Sequence, residues 1–231
     1  SGTADLGHVE ILILDEADRM LSMGFIPDVK AIVARTPRKQ QRQTQLFSAT
    51  LSEDIRRLAA SWTLDPVSIE IAPEQVAVDT VDQRVFLTSE DEKYTVLYNL
   101  IDFYNLNRVL VFVNRRDESR ELESKLKRHG FNTGLLAGDV PQKKRLRTLE
   151  DFRSGKITVL VATDVAGRGL HIEDISHVVN YNLPEDPEDY IHRIGRAGAE
   201  GISITLACES DAFMLPNIET LLGRTLNCQH P

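Results

Sequence analysis

Two carboxylates, Asp15 and Glu16, follow four aliphatic residues in the run ILILDEAD, residues 11–18. An aliphatic run of this kind reads as a buried strand, and open α/β sheets bind ligands at the carboxyl ends of their strands. One carboxylate there can hold Mg²⁺ through water, while a second orients and deprotonates an attacking water; these are the two acidic tasks of nucleotide hydrolysis. An Asp-Glu pair alone would as readily be a solvated strand end with a helix cap. Far along the chain, YIHRIGRAG (190–198) supplies Arg193 and Arg196. Their planar, permanently charged forks suit a phosphate. Between them GDVPQKKR (138–145) opens a predicted helix with Lys143, Lys144 and Arg145, and Arg147 follows. Free N–H groups at a helix start favour an anion, so this cluster suits a nucleic-acid backbone; a solvated helix face is the plainer alternative. No aromatic platform accompanies it, so sequence-independent backbone contact fits better than base stacking.

Strand-like apolar runs alternate with helical patterns, which points to an α/β chain built on parallel sheets. The expected strands are 9–14, 43–47, 67–71, 83–87, 108–113, 133–136, 159–162, 177–180 and 202–207. Helices are expected over 19–35, 53–62, 93–104, 117–129, 142–152, 187–194 and 212–222. VLVFV (109–113) is apolar without alternation, as a strand covered on both faces should be. The stretch APEQVAVDTVD, with its proline and acids, reads as a linker. It divides the chain into a first piece at 1–73, a connection at 74–82 and a second piece at 83–231. The second piece is large enough for a complete doubly wound domain; the first, with three expected strands, is not.

Of the 231 residues 42% are hydrophobic and 27% charged, and the net charge is −8. Those values suit an ordinary globular chain and exclude a binder that relies on bulk positive charge, while local basic patches remain open to it. No run approaches the roughly 18 apolar residues of a membrane span, and no charged-then-apolar leader is seen. Cys208 and Cys228 lack metal-like spacing and suit a reducing cytoplasm.

Taken in register, these motifs resemble the DEAD-box ATP-dependent RNA helicases. Ser48-Ala49-Thr50, after the second expected strand, resembles the family's SAT motif; on its own it would be an ordinary helix N-cap. VFVNRR (111–116) is similar to motif IV, VATDVAGRGLHI (161–172) to motif V and YIHRIGRAG to motif VI. The resemblance implies RecA-like parallel sheets: a complete C-terminal lobe at 83–231, preceded at 1–73 by the C-terminal part of a first lobe. It implies ATP and Mg²⁺ as cofactors, Asp15 as the metal ligand through water and Glu16 as the base. Arg193 and Arg196 would stabilise charge on the nucleotide of the other lobe. Asp18, Ser48, Thr50, Gly167, Arg168, His171 and His192 would bind ATP or couple its state to RNA. Arg115, Gly138, Asp139, Gln142, Arg145 and Thr163 would contact RNA. Within the family, PEQVAVDTVDQ, GDVPQKKRLRTLEDFRSG, the GLHI variant of motif V and ACESDAFMLPNIETLLG resemble the bacterial RhlB type. That subgroup implies a role in RNA degradation in the cytoplasm, with the degradosome endoribonuclease RNase E as docking partner. It also implies a monomer, unless the partial first lobe pairs.

The chain departs from the family at three points. His171 stands where motif V usually has an Asp. Ala197-Gly198-Ala199 follows HRIGR directly, so the third arginine of motif VI has no counterpart, through a true deletion of three residues or a segment missing from the sequence. The clean resumption at AGAEG favours the second. No G-x-x-x-x-G-K-[ST] occurs in the 231 residues, so the phosphate cradle that such a loop supplies is not among them. Ser1–Ala4 resembles a junction, not the start of a native lobe. The first sheet, being partial, should expose an apolar face. Two readings follow: an ATP-dependent RNA helicase for the parent protein, or, for the chain as written, a non-catalytic RNA-binding and docking lobe without ATPase activity.

Overall fold

The computed structural model describes residues 4–22, 24–48, 51–70, 81–167, 175–198 and 201–231. Two compact units divide the chain, Ser1–Ala72 and Pro73–Pro231.

In the first unit β1 (Ile11–Leu14) pairs in parallel with β2 (Gln43–Leu46), Ile11 opposite Gln43 and Leu14 opposite Leu46. Successive side chains alternate between faces. Leu12 and Leu14 therefore join Leu46, Val33, Leu58 and Trp62 in a core, while Ile11 and Ile13 point the other way. Ile11 is 56% and Ile13 57% exposed. One face of this parallel sheet thus lies open, where complete parallel sheets are covered on both. The helix expected over 19–35 is two helices, α1 (Ala17–Ser22) and α2 (Ile26–Val33). Gly24 takes φ 72° between them. That left-handed conformation costs glycine little, and a proline in the first turn of α2 restarts the helix. Helix α3 (Glu53–Trp62) begins where Ser52 Oγ accepts the Ile55 N–H, with Glu53 and Asp54 favourably placed at its positive end. The strand expected at 67–71 does not form over its described part, 67–70, where Val67 and Ile69 are exposed. An apolar run without a paired neighbour has no ladder to join. Most of the expected connection, residues 74–80, lies outside the described residues.

The second unit carries a seven-stranded parallel sheet of order β5-β6-β4-β7-β8-β3-β9. Its strands are β3 (Asp82–Leu87), β4 (Val109–Phe112), β5 (Thr133–Leu136), β6 (Val159–Ala162), β7 (His177–Asn180), β8 (Ile202–Ala207) and β9 (Cys228–Gln229). Helices α4 (Lys93–Phe103) and α5 (Arg116–Arg128) cover one face, and α6 (Gln142–Arg153) packs on the other. The place of β4 inside the sheet, between β6 and β7, explains why its sequence has no polar alternation. Val109, Val111 and Val113 meet Leu97, Leu122 and Leu126, while Leu110 and Phe112 meet Leu149 and Phe152. Gly134 in β5 is required by close packing, since a Cβ there would lie 2.8 Å from the side chains of Ile157 and Thr148. The short helix α7 (Asp164–Gly167) follows β6 directly. A third cluster under α8 (Pro187–Ile194) and α9 (Leu215–Leu222) gathers Val85, Leu183, Tyr190, Ile194 and Ile218.

Lys93, wholly buried at the start of α4, is held by Asp211 at 2.9 Å. Burial works against its charge, yet the hydrogen bond and the charge of Asp211 outweigh that and leave the ammonium pKa raised, as a close opposite charge can. Asp211 also accepts the N–H groups of Cys208 and Leu183, at 2.8 and 3.0 Å. The ion pair thus fastens α4 to the loop after β8. Lys93→Met strands a mostly buried carboxylate and should cost about 3 kcal/mol. Urea denaturation of the second unit measures this; a change within about 0.5 kcal/mol would refute it.

Candidate functional site

The acidic pair stands directly after β1. Glu16 adopts φ 52° and turns the chain sharply off the strand. This left-handed conformation costs a non-glycine residue about 1–2 kcal/mol. Asp15 Oδ1 accepts the Glu16 N–H at 2.9 Å, which fixes one carboxylate against the base of the other. Both side chains remain exposed. The Ala17 N–H donates to the Phe47 carbonyl at 3.1 Å, and Ser48 Oγ accepts the Asp18 N–H at 3.1 Å. Ser48 thereby satisfies an amide in the first turn of α1, and the DEAD and SAT segments are joined side by side at the ends of β1 and β2. Asp18 in turn accepts the Arg19 N–H at 2.9 Å. Thr50 lies outside the described residues.

In the second unit, helix α8 begins on an Asp186 cap, whose Oδ1 accepts the Glu188 N–H at 3.0 Å, with Pro187 next. Both residues are good helix starters, the one as acceptor and the other through its fixed φ. The packed face of α8 buries Tyr190, Arg193 and Ile194. The Tyr190 hydroxyl donates to Gln83 at 3.2 Å, and burial pushes its pKa up to about 12.

The family resemblance implies that Arg193 stabilises phosphate charge directly, and its geometry assigns it another task. The side chain is 1% exposed and its fork is spent inside the unit. Nε and Nη2 donate to the two oxygens of Asp164, each at 2.7 Å. Nη2 also reaches Asn114 Oδ1 at 2.7 Å, and Nη1 reaches the Asn182 carbonyl at 2.8 Å and Asn180 Oδ1 at 3.5 Å. The guanidinium carbon lies 5.2 Å from the centre of the Phe112 ring, close enough for a cation–π attraction. A guanidinium has five N–H donors, and here each faces a protein acceptor, so none remains for a phosphate. Arg196 follows in a short 3₁₀ helix, Gly195–Ala197, and is half-buried. His192 Nδ1 is buried and makes no hydrogen bond among the described residues.

Gln142 and Arg145 come together on the first turn of α6, where Arg145 Nη1 reaches Gln142 Oε1 at 3.5 Å. Arg145 Nη2 donates to the Ala166 carbonyl at 3.2 Å, tying this turn to α7. Thr163, at the end of β6, is buried, and its N–H donates to the Leu136 carbonyl at 3.1 Å. Lys143, Lys144 and Arg147 stay exposed around this turn. Gly138 is exposed, and Asp139 is paired with Arg120. Arg115 stands apart from them. It forms a two-point bridge to Asp117, at 2.9 and 3.2 Å, which raises the arginine pKa and lowers that of the carboxyl. It also lines an open cavity of about 650 Å³ together with Glu90, Glu118, Glu121 and Glu209. Gly167 closes α7, while Arg168 and His171 lie outside the described residues. Asn114, Asp164 and Asn182 escaped the sequence reading, although each sits at the carboxyl end of a buried strand, where polar residues of this fold gather.

Residues 1–58 match the DEAD/DEAH box helicase model, and residues 92–201 match the helicase conserved C-terminal domain. The ATP-dependent RNA helicase RhlB of Pseudomonas putida is 57% identical over 233 aligned positions, covering 100% of this chain and 58% of that protein. The chain thus spans under two thirds of the relatives it matches along its whole length. Among solved structures, Saccharomyces cerevisiae Dbp5 bound to RNA and ADP BeF3 is 31% identical, with a TM-score of 0.81 over 98% of this chain and 60% of its own. Escherichia coli SrmB, bound to the regulator of ribonuclease activity RraA, is 32% identical with a TM-score of 0.62. The match covers 65% of this chain and 91% of SrmB as solved. Parallel sheets of RecA-like form, the carboxylate pair after β1, the HRIGR helix α8 and these likenesses agree: the chain belongs to the DEAD-box helicase family, with RhlB proteins among its relatives.

Proposed function

We propose that the full-length protein hydrolyses ATP to unwind RNA duplexes, and that it acts in RNA turnover in the cytoplasm. The observation that carries the ATP half is the strained turn at Glu16, which presents two adjacent exposed carboxylates at a strand end, two residues before the Asp18 N–H that donates to Ser48. Backbone strain held in place by its surroundings is a mark of functional sites. Asp15 suits a hard cation: one oxygen is oriented by the Glu16 N–H, and the carboxylate is open to solvent. Mg²⁺ keeps several waters and takes only one or two carboxylates beside the substrate's phosphates, so a single Asp is a sufficient protein share. When bound, the ion neutralises charge that develops on the transferred phosphoryl group. Glu16 orients the attacking water and takes its proton. Arg196 supplies fixed positive charge to the γ-phosphate, while Arg193 holds the helix that precedes it.

For RNA, the support is the first turn of α6, where Gln142 and Arg145 meet the start of α7 among exposed lysines. That arrangement grips a sugar-phosphate backbone without reading bases. The docking partner implied by the RhlB resemblance, RNase E, forms part of the same proposal. No described helix is long and apolar enough to cross a membrane.

In the full-length protein, Glu16→Gln should lower RNA-stimulated ATP turnover by roughly 10²-fold or more while ATP and RNA still bind. Unchanged turnover would remove Glu16 from the chemistry. The 231-residue chain alone, without a G-x-x-x-x-G-K-[ST] sequence, should stay at background in the same assay. Arg145→Ala should weaken binding of unrelated single strands about equally and flatten the logarithmic salt slope by roughly 0.7, one phosphate's worth. Loss confined to one sequence would contradict a backbone role.

A further inference from the structure

The outer side of α4 and α5 carries a continuous run of rings. Tyr94 and Tyr98 stand one turn apart on α4, with ring centres 6.4 Å from each other, since positions i and i+4 share a helix face. His129, just past the end of α5, lies 5.5 Å from Tyr94 and 5.6 Å from Tyr98. Phe131 meets the Tyr98 ring at 5.5 Å, edge to face, and the Tyr94 hydroxyl meets His129 Nδ1. Tyr94 and Phe131 pack on the core beneath, Tyr98 is half-buried between them, and His129 is exposed. The shelf is therefore anchored from below and open above.

Three cations stand along it in the last turn of α5: Lys125, Lys127 and Arg128. Lys125 Nζ sits 3.8 Å above the centre of the Tyr94 ring, and Arg128 Nε reaches the Ser124 carbonyl at 3.4 Å. A helix carboxyl end favours cations, but among the described residues none of the three has a carboxylate partner. In a chain of net charge −8, rings beside cations without a counter-charge suit an anionic ligand that also has an apolar portion.

We propose that this shelf docks an acidic segment of a partner protein. Carboxylates of the segment meet Lys125, Lys127 and Arg128, and an aliphatic side chain packs on the rings of Tyr98 and Phe131. Complementary charge steers such an encounter, and tyrosine and arginine are among the residue types that carry most binding energy at protein interfaces. Two observations favour a protein segment over nucleic acid. The rings are tilted by 35° to 73° against one another and Lys125 covers Tyr94, so no flat platform is left for stacked bases. The shelf also lies over the face of the sheet opposite α6, whose first turn carries the RNA grip proposed above. The docking role does not depend on the ATPase reading.

The test uses the full-length protein and a short fluorescein-labelled peptide of Asp and Glu with two leucines one helical turn apart, read by fluorescence anisotropy. Binding should be saturable. The double variant Lys127→Glu with Arg128→Glu, both exposed positions, should weaken it about tenfold or more while the thermal midpoint stays unchanged. Lys125→Met keeps a stem over Tyr94 and removes only the charge, and it should weaken binding about threefold. Replacing both leucines of the peptide by glycine should weaken it about tenfold, through loss of apolar burial on the rings. Polyuridylate should not displace the peptide and should bind the double variant as it binds the unaltered protein. No saturable binding, or equal binding to the double variant, would overturn the docking role. So would displacement by polyuridylate, which would make the shelf a nucleic-acid surface. Self-association that the double variant dissolves would assign the shelf to a second copy of the chain and overturn the proposal as well.

Discussion

A buried guanidinium governs the second unit. Arg193 reaches Asp164 after β6, Asn114 after β4 and the Asn182 carbonyl after β7, so one side chain closes the carboxyl ends of three adjacent strands around α8. Burying such a charge is costly unless it is paired and every donor is satisfied. Asp164 pairs it through both oxygens, and neutral amides and a carbonyl take the other donors. The strands alone would leave their ends free to splay, because a four-residue strand holds little on its own. With the arginine in place, the segments after β4, β6 and β7 keep one geometry.

The two units differ in how completely they bury their sheets. In the second, β4 and β6 are continuous apolar strands, buried along their whole length. Helices on both faces allow this, and the polar residues concentrate at the carboxyl ends. In the first, Leu12 and Leu14 find a core while Ile11 and Ile13 do not. Even so, the acidic turn is well defined there. It depends on local bonds from Asp15, Ala17 and Asp18 and not on the uncovered face. The strained Glu16 backbone is stabilised by the β1–β2 pairing on its near side.

Much of this was legible in the chain itself. The unbroken apolar run at β4 announced a strand covered on both faces, and the DEAD and motif V segments fell where strands end and helices begin. Elements that depend on pairing or on a single backbone angle were harder to read. The helical pattern from Arg19 hid a break that Gly24 makes through one positive φ, and the apolar run at Val67 looked like a strand but has no partner ladder. Two arginines three residues apart look alike in sequence. Only the packing of α8 separates Arg193, turned inward, from Arg196 beyond the helix end. The Asn114 N–H donates to Asn182 Oδ1 across 68 residues of sequence, and nothing local marks them as a pair.

Arg193 is the internal brace on which the second unit depends. Its most direct test is urea denaturation of the 231-residue chain carrying Arg193→Ala. Loss of the brace leaves Asp164 without its partner and should lower the stability of the second unit by about 3–5 kcal/mol, or prevent its folding. A midpoint unchanged to within about 0.5 kcal/mol would show that the guanidinium is not needed to hold these strands and helix together, and would contradict the account.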